Sequence, residues 1–120
     1  MRIGDLAART GVSARRLRYY EQQGLIASER RANGYRDYAE GSVERVEQVS
    51  GLIEAGVPTA VIADMIPCLA QTSHPKAPVI ERTQADTLER RRAQLDARID
   101  ALIRNRDAID AYLDRATITG

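Results

Sequence analysis

The segment SARRLRYYEQQGL, Ser13–Leu25, places three arginines and two tyrosines in a stretch that is patterned like a short helix. Ser13 suits the N-cap of that helix, because its hydroxyl can accept a hydrogen bond from a free backbone N–H. Gly24 ends the helix. A shorter helix is predicted over 5–10, and it ends at Gly11, a residue that readily takes the left-handed conformation found after helices. Two short helices joined by the link TGVS have the spacing of a helix-turn-helix.

The second helix has one apolar face and one cationic face. Ala14 and Leu17 point toward the first helix, whereas Arg16 and Tyr20 lie on the flanks. The face opposite Leu17 carries Arg15, Arg18, Tyr19 and Gln22 at spacings of three and four residues. Like charges on one helix face repel, so an external anion would stabilise this arrangement.

The basic excess of the chain lies at its amino end. The formal net charge is only +1 over 120 residues. Residues 1–38, however, contain eight arginines and four acidic residues, a balance of +4, and four of the five tyrosines. A tyrosine ring is apolar and its hydroxyl can donate to phosphate, so arginine beside tyrosine is typical of a nucleic-acid surface.

The segment after the second helix predicts a small β-hairpin. Leu25 and Ile26 are read as a short strand, and YRDY, at residues 35–38, is read as the return strand. The dipeptide Asn33–Gly34 predicts a two-residue turn, in which both residues must accept a positive φ. A helix-turn-helix followed by such a hairpin is a winged helix.

Two further apolar helices and a proline-containing linker are predicted next. The first helix spans about 40–55, and Pro58 suits the first turn of the second, which Pro67 ends. The stretch CLAQTSHPKAP, residues 68–78, contains two prolines and no clean period, so it is predicted to be a linker.

A heptad pattern runs along the uninterrupted helix predicted over 79–115. Leu88, Leu95, Leu102 and Ile109 recur every seven residues, and Arg92, Ile99, Arg106 and Leu113 follow them by four. Such a helix is about 55 Å long at 1.5 Å per residue. A partner helix within the same chain is the alternative, but no second long helix is predicted, so the pattern favours pairing with a second copy.

These patterns together predict a mainly α chain with four parts. They are a winged helix-turn-helix DNA-binding domain over 1–66, a linker over 67–78, a dimerisation helix over 79–115 and a tail over 116–120. The candidate dimerisation residues are Leu88, Leu95, Ile99, Leu102, Ile109 and Leu113.

The sequence resembles the MerR family of bacterial transcription regulators. The resemblance is carried by IGDLAARTGVSARRLRYYEQQGLI, then NGYRDY, then an apolar helix pair and one long C-terminal helix. It implies a homodimer joined by an antiparallel coiled coil, with each winged-helix end on one half of a near-palindromic promoter site. It further implies bending and untwisting of the DNA, so that RNA polymerase can engage both promoter elements.

The resemblance also assigns roles to residues. It implies that Arg15 and Arg18 enter the major groove, where arginine binds guanine or phosphate. Tyr20, Tyr35 and Tyr38 match positions that contact the DNA backbone or brace the wing, and Arg30 and Arg36 match the wing's basic positions. Arg16 and Arg31 add charge nearby. The candidate DNA-binding residues are Arg15, Arg16, Arg18, Tyr19, Tyr20, Arg30, Tyr35, Arg36 and Tyr38.

The effector, if one exists, is left open by the sequence. Cys68 and His74, in the predicted linker, are candidates for metal or redox sensing, although a lone cysteine after a helix is more often a small buried apolar residue. A single cysteine excludes an internal disulfide and any zinc site of several cysteines. An unidentified small-molecule effector is the other alternative within the family.

The remaining features exclude several classes of protein. No catalytic arrangement, cofactor motif or metal site is recognised, so an enzyme is not expected. No signal peptide or membrane span is recognised either, so a cytoplasmic protein without a membrane partner is expected. The alternative from another class is a coiled-coil interaction protein whose basic head binds an acidic protein partner.

Overall fold

The computed structural model describes residues 1–70 and 78–120, with the side chains of 68–70 left out. The chain divides into two compact units, Met1–Val79 and Ile80–Gly120. In chain order the elements are α1 (Ile3–Thr10), α2 (Ala14–Gln22), β1 (Glu29–Arg30), β2 (Arg36–Asp37), α3 (Gly41–Glu54), α4 (Thr59–Ala70) and α5 (Arg82–Arg115). The mainly α architecture with one small hairpin and a long terminal helix is the predicted one.

The two short helices meet at the turn that the sequence predicts. Gly11 follows α1 with φ of 74° and donates its N–H to the carbonyl of Ala7. Ser13 caps α2, since its hydroxyl accepts a hydrogen bond of 3.2 Å from the backbone N–H of Arg16. The first helix begins at Ile3, two residues earlier than predicted, and the carboxylate of Asp5 accepts the N–H of Arg2 at 3.4 Å.

The predicted strand at Leu25 and Ile26 is wrong, because the first strand begins at Glu29; both side chains are instead buried in the core. Two consecutive buried residues do not fit the alternation of a half-exposed strand. The N–H of Leu25 instead bonds to the carbonyl of Tyr20 at 2.9 Å and completes the end of α2. The chain passes Gly24 there with φ of 76°, as helix ends of this kind require.

The hairpin forms between β1 and β2, with Glu29 opposite Asp37 and Arg30 opposite Arg36. The return strand therefore lies where the sequence predicts it. The predicted two-residue turn is wrong, because the bond from the N–H of Arg31 to the carbonyl of Tyr35 encloses three residues. Gly34 supplies a left-handed conformation in this turn, with φ of 85°.

The turn residue Asn33 acts through its side chain. Its amide oxygen accepts the N–H of Tyr35 at 3.2 Å, as asparagine commonly does in turns.

One apolar core holds the first unit together. Helix α1 packs against α2 and α3, and α3 packs against α4. The buried apolar residues are Leu6, Val12, Leu17, Tyr20, Leu25, Ile26, Tyr38, Val46, Val49, Val57 and Ile62. One of them, Leu17, comes from the face of α2 that the sequence predicts to point toward the first helix, and Leu6 is the buried residue of α1.

The predicted end of α4 at Pro67 is wrong, because the helix continues through Pro67 to Ala70. Proline removes the N–H that would bond to the carbonyl of Ala63, yet a helix can continue past this loss. Residues 67–70 of the predicted linker are therefore helical, and its part over 71–77 lies outside the described residues.

Helix α5 has 34 residues, so it is about 51 Å long at 1.5 Å per residue. It begins three residues later than predicted and ends at the predicted residue, Arg115. None of its residues is buried. Over 1–70 and 78–120, no helix combines the length and apolarity needed to cross a membrane.

Candidate nucleic-acid interface

Helix α2 presents a cationic face to solvent. Arg15, Arg18, Tyr19 and Gln22 are all exposed, while Leu17 beneath them is fully buried. Among the described residues, neither Arg15 nor Arg18 takes part in an ion pair. Their charge is therefore available to an external anion, as the sequence predicts.

We call the hairpin of β1, its turn and β2 the wing. The wing and the N-terminal end of α1 extend the cationic face of α2 into a groove of about 460 Å³. Its lining includes Arg2, Arg18, Gln22, Tyr35 and Arg36. The guanidinium carbon of Arg2 lies 3.8 Å from the centroid of the Tyr35 ring, a cation–π contact. Both side chains also line the groove. The stack therefore adds Arg2 to the two other arginines of the groove, Arg18 of α2 and Arg36 of the wing.

Sequence reasoning missed Arg2. The residue lies 33 positions before Tyr35, and only the folded backbone brings the two together, through a bond of 2.7 Å from the N–H of Tyr38 to the carbonyl of Met1. The only sign in the sequence was a basic residue directly before the first helix. A single arginine there belongs to no helical or strand pattern, so it did not indicate a site.

Glu21, near the end of α2, binds the base of the wing. The hydroxyl of Tyr38 donates to Oε1 of Glu21 at 2.6 Å. The hydroxyl of Ser28 donates to Oε2 at 2.9 Å, and Nη1 of Arg36 lies 3.2 Å from the same oxygen. One largely buried carboxylate thus links α2 to residues before β1, within β2 and after β2.

The buried tyrosines differ from the exposed ones. Tyr20 and Tyr38 are each 1% exposed, whereas Tyr19 and Tyr35 are close to half exposed. The hydroxyl of Tyr20 accepts from Nη2 of Arg16 at 3.1 Å. The pKa of Tyr38 is raised above its usual value, first because the residue is buried and then because its hydroxyl donates to Glu21. For Tyr20 and Tyr38 this burial favours the bracing role that the resemblance allows.

The three arginines of the wing have different surroundings. Arg30 is exposed and is absent from the ion pairs of the described residues. Arg36 pairs with Glu21, and Nε of Arg31 donates to Asp37 at 3.0 Å. Arg30 is therefore the wing cation that no acidic side chain in the described part of the chain neutralises.

Asp37 is held as a carboxylate by two cations. Its pKa is lowered, chiefly by the hydrogen bond from the ammonium group of Met1 and next by the hydrogen bond from Arg31. The pKa of Arg31 is correspondingly raised by its hydrogen bond to Asp37.

The candidate effector residues lie at the edge of what the structure describes. Cys68 belongs to α4, but its side chain is not described, and His74 lies outside the described residues. In the described part of the chain, no group of three or more His, Cys, Asp or Glu side chains is placed to hold a metal ion.

The apolar heptad positions of α5 are open to solvent. Leu95, Ile99, Leu102, Ile109 and Leu113 are between 37% and 60% exposed, and Leu88 is half-buried. An exposed apolar stripe of this length marks an interaction surface.

A turn with a left-handed glycine, a cationic second helix and a small antiparallel hairpin together define a winged helix-turn-helix DNA-binding domain. The sequence profile of the MerR HTH family of regulatory proteins matches residues 1–68, more than half of the chain. The chain belongs to this family of transcriptional regulators.

Curated relatives share chiefly the DNA-binding domain. The nodulation protein NolA of Bradyrhizobium elkanii is 52% identical over 56 residues, which are 46% of this chain and 26% of that protein. The chain therefore aligns with about a quarter of NolA. The transcriptional activator SoxR homolog of Chromobacterium violaceum is 35% identical over 111 residues, which are 92% of this chain and 72% of that protein.

Solved structures share the fold over nearly the whole chain. A protein described as a MerR family transcriptional regulator from Listeria monocytogenes has a TM-score of 0.60 and 25% identity, covering 95% of this chain and 83% of that one. HiNmlR, a MerR family regulator lacking the sensor domain and bound to promoter DNA, has a TM-score of 0.59 over 94% of this chain and 86% of that one. At 19% identity, the likeness to HiNmlR establishes the fold alone.

Proposed function

We propose that the protein is a homodimeric, sequence-specific regulator that binds a near-palindromic promoter site. The observation that carries this proposal is the exposed cationic face of α2, where Arg15 and Arg18 have no acidic partner among the described residues. Arginine at such positions can bind the guanine edge in two places at once, or hold phosphate. A protein with this proposed function would act in the cytoplasm, where promoter DNA lies.

The wing supplies the second contact region in this proposal. Arg30 and the stacked pair of Arg2 and Tyr35 are exposed next to α2, so they can hold the sugar-phosphate backbone on either side of the groove that α2 enters. Phosphate contacts fix orientation, whereas base contacts by α2 select the sequence.

A dimer is supported by the apolar stripe of α5, which a second copy would cover. Two heads held at a fixed distance match two half-sites related by a twofold axis. We further propose that the bound dimer bends and untwists the promoter, so that RNA polymerase can engage both promoter elements. An effector, if there is one, would act on that change.

The experiment that tests the proposal is a binding titration of the full chain on its own upstream DNA. Arg18→Ala is expected to weaken binding by about 1–3 kcal/mol, because it removes a contact to a base or phosphate. Arg104→Ala is the matched control, since Arg104 is exposed on α5 away from the heptad stripe. Fluorescence anisotropy against a shuffled duplex gives both affinities, and sedimentation confirms that the assembly state is unchanged.

Equal affinity of Arg18→Ala and the unmodified chain would remove Arg18 from the DNA contact. Equal binding of promoter and shuffled DNA would contradict sequence-specific regulation and indicate non-specific DNA binding. Binding of neither duplex would favour an acidic protein as the partner of the basic head.

A further inference from the structure

The apolar stripe of α5 is interrupted by arginine in a regular way. We call the α5 seam the eight heptad residues Leu88, Arg92, Leu95, Ile99, Leu102, Arg106, Ile109 and Leu113. Arginine occupies its second and sixth positions. A guanidinium between aliphatic side chains is unfavourable unless an acidic group pairs with it. The dimer proposed above does not by itself explain these two residues.

The resemblance to the MerR family already implies that two α5 helices pair antiparallel. We propose that this pair has a register centred between Asp100 and Ala101, with Arg92 and Arg106 bound to the partner's Asp110 and the partner's Asp96. This inference rests on the proposed homodimer and specifies its register. The occupant of the α5 seam is therefore a second copy of the same chain.

The register follows from the pairing rule of antiparallel coiled coils, in which each a position packs against a d position of the partner. In the α5 seam the d positions are Leu88, Leu95, Leu102 and Ile109, and the a positions are Arg92, Ile99, Arg106 and Leu113. Leu88 then faces the partner's Leu113, and Ile99 faces the partner's Leu102. Arg92 faces the partner's Ile109, and Leu95 faces the partner's Arg106. The same pairs arise from either chain, as a twofold axis requires. Every apolar residue of the α5 seam is covered by this register.

The acidic partners lie at the same levels as the arginines. Asp96 and Asp110 directly follow Leu95 and Ile109, on the flank that faces the partner's a positions. Among the described residues, Arg92, Asp96 and Asp110 form no ion pair within their own chain. Three charges of each helix are thus left for the other helix.

Two other charged residues at the α5 seam, Glu89 and Arg106, have ion-pair partners in their own helix. In the proposed register, Glu89 lies on the same flank of the pair as the partner's Asp110, which carries the same charge. The charge of Glu89 is offset within its own helix, because Nη2 of Arg82 lies 3.0 Å from its Oε1. Nη2 of Arg106 lies 3.2 Å from Oδ1 of Asp107. Both side chains are exposed, and an exposed ion pair contributes little to stability. Arg106 can therefore turn to the partner's Asp96 at small cost.

A parallel pair is less favourable for the same charges. It would place Arg92 against the partner's Arg92 and Arg106 against the partner's Arg106, two layers of like charge inside the seam. The parallel pair would gain one favourable ion pair, between Arg91 and the partner's Asp96, at the exposed flank of the seam. Water and salt screen the flank more than the seam, so the repulsion outweighs this gain.

Cysteine cross-linking of the full chain tests the register. Leu88→Cys and Leu113→Cys are made separately in a Cys68→Ser background, and covalent dimers are measured under mild oxidation. A covalent dimer is expected only when the two variants are mixed. Neither variant alone can form a disulfide between its two copies. Two copies of residue 88, like two copies of residue 113, would lie about 37 Å apart at 1.5 Å per residue.

A covalent dimer of Leu88→Cys alone would overturn the proposal in favour of a parallel pair. No covalent product in the mixture, with sedimentation still showing a dimer, would overturn the register alone. A monomeric unmodified chain at micromolar concentration would overturn the homodimer as well.

Charge reversal tests the ion pairs separately. Arg106→Glu is expected to raise the dissociation constant of the dimer about tenfold, because two repulsive contacts replace two attractive ones. Adding Asp96→Arg in the same chain should return the constant close to its original value, while Arg104→Ala should leave it unchanged. A double variant no tighter than Arg106→Glu alone would contradict the pair.

Discussion

The tyrosines of the first unit show what a residue type can and cannot reveal. Their clustering with arginine predicts a nucleic-acid surface, and Tyr19 and Tyr35 are exposed as that role requires. Tyr20 lies three residues after Leu17, on the edge of the apolar face, and is buried. Tyr38 has no such pattern around it. Its burial depends on contacts with Glu21 and Met1, which are far away in the sequence.

The hydroxyl of Tyr38 is expected to stabilise the first unit. Tyr38→Phe removes its hydrogen bond to Glu21, so the free energy of unfolding should fall by about 1 kcal/mol. Urea denaturation followed by circular dichroism measures the change. Tyr19→Phe is the control, because the Tyr19 hydroxyl has no hydrogen-bond partner among the described residues. An unchanged urea midpoint for Tyr38→Phe would show that this bond contributes nothing.

Alkaline pH is expected to remove the same contribution. The pKa of Tyr38 is raised in the folded chain, so the fold favours the neutral phenol. Its contribution to stability is complete below the ordinary tyrosine pKa of about 10 and is lost as pH rises through the higher folded value. Urea midpoints measured from pH 8 to 11 should fall less for Tyr38→Phe than for the unmodified chain. Parallel curves would contradict the assignment.

At the scale of elements, local capping signals were reliable and the sequence predicts the helix-turn-helix correctly. Ser13 and Gly11 act within a few residues, so their roles can be read without the fold. The strand predicted at Leu25 and Ile26 failed because a pair of apolar residues fits a strand or a buried helix end equally well. The sequence around Pro67 predicts a helix end there. That α4 continues through Pro67 depends on the helix as a whole, so it could not be predicted from neighbouring residues alone.

Glu21 is expected to hold the wing on α2. Glu21→Ala removes three polar contacts from the base of the hairpin and leaves the Tyr38 hydroxyl without its partner. The first unit should lose about 1–3 kcal/mol of stability. Amide hydrogen exchange should become faster at Arg31 and Gly34, in the turn of the wing, than in the unmodified chain.

Glu29→Ala is the matched control for Glu21. Glu29 is an exposed acid of β1, and it forms no ion pair within the described residues. Equal exchange rates at Arg31 and Gly34 in Glu21→Ala and Glu29→Ala would show that other contacts hold the wing.

At the scale of the whole molecule, the chain separates a DNA-binding unit from an exposed α5 seam. The sequence predicts both from charge and periodicity, since each pattern repeats over many residues. The candidate groove was less predictable, because Arg2, Arg18 and Tyr35 come from three separate parts of the chain. Salt should weaken binding steeply, because the arginines would release counterions from phosphates as they bind.

Hydroxyl-radical footprinting of the full chain on its own upstream DNA tests the central claim most directly. Two heads carried by one dimer should protect two short tracts related by a dyad, with centres separated by a whole number of helical turns of about 10.5 bp. Arg18→Ala should weaken both tracts together. A single tract without a dyad mate, or uniform cleavage at protein concentrations that saturate binding, would contradict the claim.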